Sequence, residues 1–159
     1  MSARVAIITA AALLSACGFH LQGRTPLPEP LKVTYVLAED SQSEFVLGLR
    51  KALASSGAKI ARVDTEATGV VQVLTDEVTE RVLSVSAANI PREYELTYTV
   101  RFSVRSGTEE LLEPQEVALT RDYSFDERTL LAKEHEEAIL REAMARDLVG
   151  IVMRRLASL

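Results

Sequence analysis

Residues 93–105 alternate without a fault. Tyr94, Leu96, Tyr98, Val100, Phe102 and Val104 are apolar, and Glu93, Glu95, Thr97, Thr99, Arg101, Ser103 and Arg105 are polar or charged. A period of two puts one set of side chains in a core and the other in water. Ser106-Gly107-Thr108 is turn material, and Val117, Leu119, Tyr123 and Phe125 continue a second strand. Residues 94–125 therefore read as a β-hairpin. Pro114 marks an irregularity near the start of its second strand, because proline cannot donate to the ladder.

Upstream, residues 70–86 read as a long strand with a break in parity. Val71 and Val73 share one parity, Val78 and Val82 the other. A bulge near residues 75–77 reconciles them. Residues 31–37 read as a first strand, with Val33, Tyr35 and Leu37 on one face.

Two segments carry helical spacing instead. Phe45, Val46, Leu49, Ala52 and Leu53 form an apolar stripe in a helix ending near Ser56. Ser41-Gln42-Ser43-Glu44 before it is a capping-box sequence, and Gly57 suits the C′ position. Ala138, Ala145, Leu148, Val149, Val152 and Leu156 define a last helix over about residues 133–157. Glu134, Glu136 and Glu137 near its start, and Arg154 and Arg155 near its end, both complement the helix dipole. The order is β-α-β-β-β-α. The expected fold is an α+β two-layer sandwich, with two helices packed on one face of a mixed four-stranded sheet.

The first residues are not part of that domain. Arg4 is followed by an apolar run over residues 5–14, then by Ser15, Ala16 and Cys17. That order is a secretory signal, and the run is too short to span a membrane. A leucine three positions before cysteine, with small residues between, is the acceptor pattern of a bacterial lipoprotein. Cys17 is then the first residue of the mature chain. Its thiolate takes a diacylglycerol and its freed amine an acyl chain. Gly18, in place of an aspartate, favours the outer membrane. A buried N-terminal helix with a core cysteine is the alternative. The expected division is a signal peptide at 1–16, a lipidated Pro-rich tether at 17–30, and one domain at 31–159.

Composition narrows the function. Cleavage before Cys17 leaves 143 of 159 residues, and loss of Arg4 takes the net charge from −5 to −6. No basic excess is present to hold nucleic acid. Cys17 is the only cysteine, so the domain has no disulfide. There is no tryptophan, which disfavours a sugar or dinucleotide stacking platform. His20 and His135 are the only histidines and give neither a nucleophile triad nor metal-ligand spacing. Glu134, Glu136 and Glu137 read as a solvated first turn, and Gly57 and Gly69 are too isolated for a phosphate loop. No metal or catalytic residue is expected.

The run Leu14-Ser15-Ala16-Cys17-Gly18-Phe19-His20-Leu21-Gln22-Gly23 resembles the start of the LPS-assembly lipoprotein (LptE) family. So do the element order and Tyr123-Ser124-Phe125-Asp126 followed by Leu131-Ala132-Lys133-Glu134. Gln22 stands where arginine is common, and the loop at 87–92 looks short. The resemblance implies an outer-membrane lipoprotein that plugs the LptD β-barrel in a 1:1 complex, helps it assemble and binds lipopolysaccharide. A barrel lumen is polar, so a plug needs a wet face such as residues 93–105 provide, although a plain solvated sheet looks the same.

Lipopolysaccharide phosphates call for Lys or Arg on an accessible loop. Lys133, on the family-like motif, and Arg92, before the long strand, are the candidates. Arg81 and Arg128 are further basic positions without better warrant. A lipid-anchored periplasmic binding or transport module with another partner is the alternative class. An enzyme is a distant third.

Overall fold

The computed structural model describes residues 26–87, 89–124 and 130–159, with side chains in the last helix from Glu136 onward. The signal segment, Cys17, the tether to residue 25, Arg128 and the side chains of Lys133, Glu134 and His135 lie outside the described residues.

The faultless alternation becomes β4, Pro91–Ser106, at the heart of a long ribbon. It pairs antiparallel with β3, Gly69–Val85, and β5, Glu109–Ser124. Leu96, Val100 and Phe102 are fully buried on one face, and Glu93 and Arg101 are exposed on the other. The β4–β5 turn is the two residues Gly107-Thr108, closed by the Ser106–Glu109 pair. Gly107 has φ +57, the sign that primed hairpin turns demand and glycine adopts freely.

β1, Val33–Leu37, runs parallel to β3. On its other side lies β2, Lys59–Ile60, also parallel. The sheet order is β2-β1-β3-β4-β5, so the mixed sheet has five strands where the sequence suggested four. Two residues carry no periodicity, which is why β2 leaves no trace in the pattern.

α1, Glu44–Ser55, and α2, Leu130–Leu156, share one core with β4 residues Leu96, Val100 and Phe102. The helices approach closely at Gly48. A Cβ there would sit 3.2 Å from Val149 Cγ2. Arg121 of β5 pairs with Asp147 of α2 at 2.6 Å, and Arg155 of α2 donates to Gln115 at 3.1 Å. These contacts clamp α2 along the edge strand.

Local expectations shift in detail. The N-cap of α1 is Ser43, not Ser41. Its hydroxyl accepts from Val46 N at 3.1 Å, while residues 41–42 form a turn. β1 starts two residues late because Leu31 closes a 3₁₀ turn, Glu29–Leu31. Val33, Tyr35 and Leu37 do share a face, but it is the half-buried one, and the fully buried members are Thr34 and Val36. Thr34 is tolerated inside because its hydroxyl donates to the Leu31 carbonyl at 2.7 Å. The break in β3 falls between Val73 and Thr75, so Leu74 is the extra residue, just before the expected 75–77. β5 begins at Glu109, and Pro114 lies within it, where the β4 pairing slips between Phe102 and Val104. An edge strand with a bulge accommodates a residue that lacks an N–H. α2 begins at Leu130, about one turn before the expected start at 133.

Candidate functional site

The helices cover one face of the ribbon and leave the other open. β3 is 17 residues long, about 55 Å, while the 12 residues of α1 span about 18 Å. At the β1 end the segment 61–68 folds over the open face. There Arg105 pairs with Asp64 at 2.5 Å and Val70 is buried. Beyond it the face is bare. Thr75, Glu77, Thr79 and Arg81 of β3 lie in register with Arg101, Thr99, Thr97 and Glu95 of β4. Those β4 residues pair in turn with Glu116, Ala118, Thr120 and Asp122 of β5.

Side chains link the strands across this surface. The Thr97 and Thr120 hydroxyls are 3.2 Å apart. Arg81 donates from Nε at 3.2 Å and Nη2 at 2.8 Å to Glu95 Oε1. A flat, threonine-bearing face with both charge signs has hydrogen-bonding capacity in every row.

At the far end the β3–β4 pairing slips twice. Val82 faces Tyr94, Ser84 faces Glu93, and Val85 faces Pro91. Leu83 is thus one extra residue on β3 and Arg92 one extra on β4, and the second slip cancels the first. A bulge re-aims the side chain it carries. Arg92 is exposed, and among the described residues it has no ion pair. Arg81 is spent on Glu95. Lys133 is in the first turn of α2, which starts soon after Ser124, the β5 partner of Glu93. Chain topology therefore brings Lys133 to the end of the ribbon that carries Arg92.

Two tyrosine–carboxylate pairs on the helix-covered face escaped the sequence reading. Tyr98 donates to Asp76 Oδ1 at 2.8 Å, and Tyr123 to Glu80 Oε2 at 2.5 Å. Asp76 also accepts from the Ser43 hydroxyl, the cap of α1. Burial, then the hydrogen bond to the carboxylate, pushes both phenols well above the usual tyrosine range. They are permanent donors near neutral pH. Tyr94 and Tyr123 stack at 5.3 Å between ring centres. The available signal was parity. Asp76 and Glu80 share the parity of Val78 and Val82.

Among the described residues no group of three His, Cys, Asp or Glu is placed to hold a metal, and no helix is long and apolar enough to cross a membrane.

Known proteins share this architecture. The LPS-assembly lipoprotein LptE of Pectobacterium atrosepticum is 26% identical over 155 residues, 96% of this chain and 84% of that protein. The solution structure of an uncharacterised lipoprotein B from Nitrosomonas europaea superposes with a TM-score of 0.72 and 28% identity, covering 89% of this chain and 91% of that one. The crystal structure of rare lipoprotein B from Shewanella oneidensis gives 0.67 and 28%, covering 79% and 93%. The family model for lipopolysaccharide assembly, LptE, matches residues 31–156. That span takes in every strand and both helices, and the chain belongs to the lipopolysaccharide-assembly LptE family.

Proposed function

We propose that this protein is an outer-membrane lipoprotein, anchored by acyl and diacylglycerol chains on Cys17, that occupies the lumen of the LptD β-barrel and helps it assemble. On this reading it is a plug and ligand-presenting partner, not an enzyme, and it takes lipopolysaccharide at Arg92 and Lys133.

The observation that carries the reading is the bare polar face of β3, β4 and β5. Both helices lie on the other side, so nothing in the described chain covers Thr79, Thr97 and Thr120 or the charged rows beside them. A barrel wall presents polar side chains inward, and such a surface pairs with a flat polar sheet. Family membership makes lipopolysaccharide assembly the process served. Arg92 adds an exposed cation, set in a bulge, suited to a phosphate.

Membranes extracted in mild detergent test it. A large β-barrel is expected to co-purify with the chain, and a photoreactive residue in place of Thr99 or Thr120 to crosslink to it, while one in place of Leu47 on α1 does not. A chain recovered without a barrel overturns the plug. Arg92→Glu and Lys133→Glu are expected to weaken lipopolysaccharide binding with fold and barrel association intact. Unchanged binding overturns those two assignments.

A further inference from the structure

Residues 82–91 contain no Asp, Glu, Lys or Arg in a chain that is 26% charged, and Arg81 and Arg92 bracket them. The comparable uncharged stretch at 67–75 is accounted for by the core, where Val70, Val71 and Val73 are buried. The 82–91 stretch is not. Val82, Leu83, Val85 and Ile90 are 45%, 42%, 52% and 36% exposed.

The double slip explains what these residues do. Because the extra residue on β4 cancels the one on β3, Val85 and Pro91 return to the face that carries Val82 and Tyr94. That is the helix-covered face. The apolar row therefore runs out from under the helices past the Tyr94–Tyr123 stack and continues bare to the tip. The tip is also well formed. Ser86 N donates to Ile90 O at 2.7 Å, Asn89 N to Ser86 O at 2.9 Å, and Ile90 N to Ser86 Oγ at 3.2 Å. Asn89 takes the positive φ of 60 that this turn needs.

Charge completes the picture. Glu80 accepts from Tyr123, Glu93 from Ser84 at 2.6 Å, and Glu95 from Arg81. These three acids are thus engaged and Asp122 lies beside Glu95 on the next strand, whereas Arg92 has no carboxylate partner among the described residues. A bare apolar row with an unpaired guanidinium at its margin complements an amphiphile that joins acyl chains to phosphate.

We propose that the β3–β4 tip is the acyl-contacting part of the lipopolysaccharide site, with chains lying on Val82, Val85 and Ile90 while Arg92 pairs with a phosphate. This rests on the proposed lipopolysaccharide binding at Arg92 and adds which end of the ligand is held. The chain enters the domain at Leu31, beside Gly69, at the opposite end of β3. The tip and that entry are about 50 Å apart along the strand.

The test uses the full chain with three probes: intact lipopolysaccharide, the same material deacylated, and phosphatidylglycerol vesicles. The wild type is expected to prefer intact over deacylated ligand by at least about ten-fold. Val85→Ser/Ile90→Ser abolishes that preference and leaves binding of the deacylated form unchanged, and Arg92→Glu weakens both forms. A photoreactive residue in place of Val85 then labels the acyl part of intact ligand in an otherwise unaltered fold. A double variant that keeps the full preference overturns the proposal. So does one that loses only vesicle binding, which makes the tip a bilayer-inserting element. A wild type that binds both forms equally overturns the acyl contact alone. A wild type that binds neither form overturns the lipopolysaccharide reading itself.

Discussion

Tyr98 and Asp76 meet diagonally across the β3–β4 ladder, phenol to carboxylate at 2.8 Å, and the same carboxylate receives the hydroxyl that caps α1. One side chain thus joins the central strands to the start of a helix. Asp76→Ala removes both partnerships and leaves a buried phenol without an acceptor. It is expected to cost about 2–4 kcal/mol in urea denaturation. Tyr98→Phe removes only the donor and is expected to cost about 1–2 kcal/mol, with the cap intact. Equal losses in the two variants would show that Asp76 does not link strand to helix.

The same pairs set an alkaline limit. Unfolded tyrosines lose their protons near pH 10, about the ordinary phenol value, while Tyr98 and Tyr123 hold theirs higher when folded. Above about pH 10 the folded state binds more protons than the unfolded state, so stability falls as pH rises. The contribution is fully present below that pH. Each phenol adds a slope of up to about 1.4 kcal/mol per pH unit. Denaturation midpoints from about pH 8 to 11 are expected to drop, and Tyr98→Phe to remove about half of the drop. A Tyr98→Phe profile parallel to wild type would count against the mechanism.

The sequence made the ribbon and both helices legible because their periods are long and clean. Thirteen residues of alternation in 93–105, and the recurring apolar positions of α1 and α2, admit one reading each. What it hid was short or tertiary. β2 has two residues and exists only because β1 offers an edge. Ser43 displaces Ser41 as cap because Asp76, 33 residues away, binds its hydroxyl. For the candidate site, the basic positions were visible but their standing was not. Arg81 and Arg92 look alike in sequence. Only the register shows one paired with Glu95 and the other set in a bulge. The uncharged tip was readable as composition, but its exposure depends on where the helices stop.

The entry of the chain into the domain hinges on Gly69. A Cβ there would stand 2.4 Å from the Pro30 carbonyl oxygen, a backbone atom that cannot swing away. Thr68 holds the same oxygen through its hydroxyl at 2.8 Å, and Leu31 beside it is fully buried. Gly69→Ala is expected to cost about 1–3 kcal/mol. It also frees residues 26–31, which limited proteolysis reads as faster cleavage there than in wild type. Unchanged cleavage would mean that the joint tolerates a methyl group and does not seat the tether.

Leu74 offers the sharpest test of register. It is the extra residue between Val73, which faces Phe102, and Thr75, which faces Arg101. Its side chain is 42% exposed. Removing it restores plain alternation: Val73 stays on the covered face, Thr75 on the open one, and Asp76, Val78, Glu80 and Val82 keep their partners. Deleting Leu74 from the middle of a central strand is therefore expected to leave a folded protein, with the bend lost and a penalty of about 1–3 kcal/mol. Deleting Val78 instead moves Arg81 into the place of Glu80, opposite Leu96 on the covered face. Tyr123 then faces a guanidinium where Glu80 had accepted its hydroxyl, and Val82 passes to the open face, so this deletion is expected to cost clearly more stability than that of Leu74. Circular dichroism melts of the two deletions decide it. Equal collapse of both would place the register control elsewhere than at Leu74.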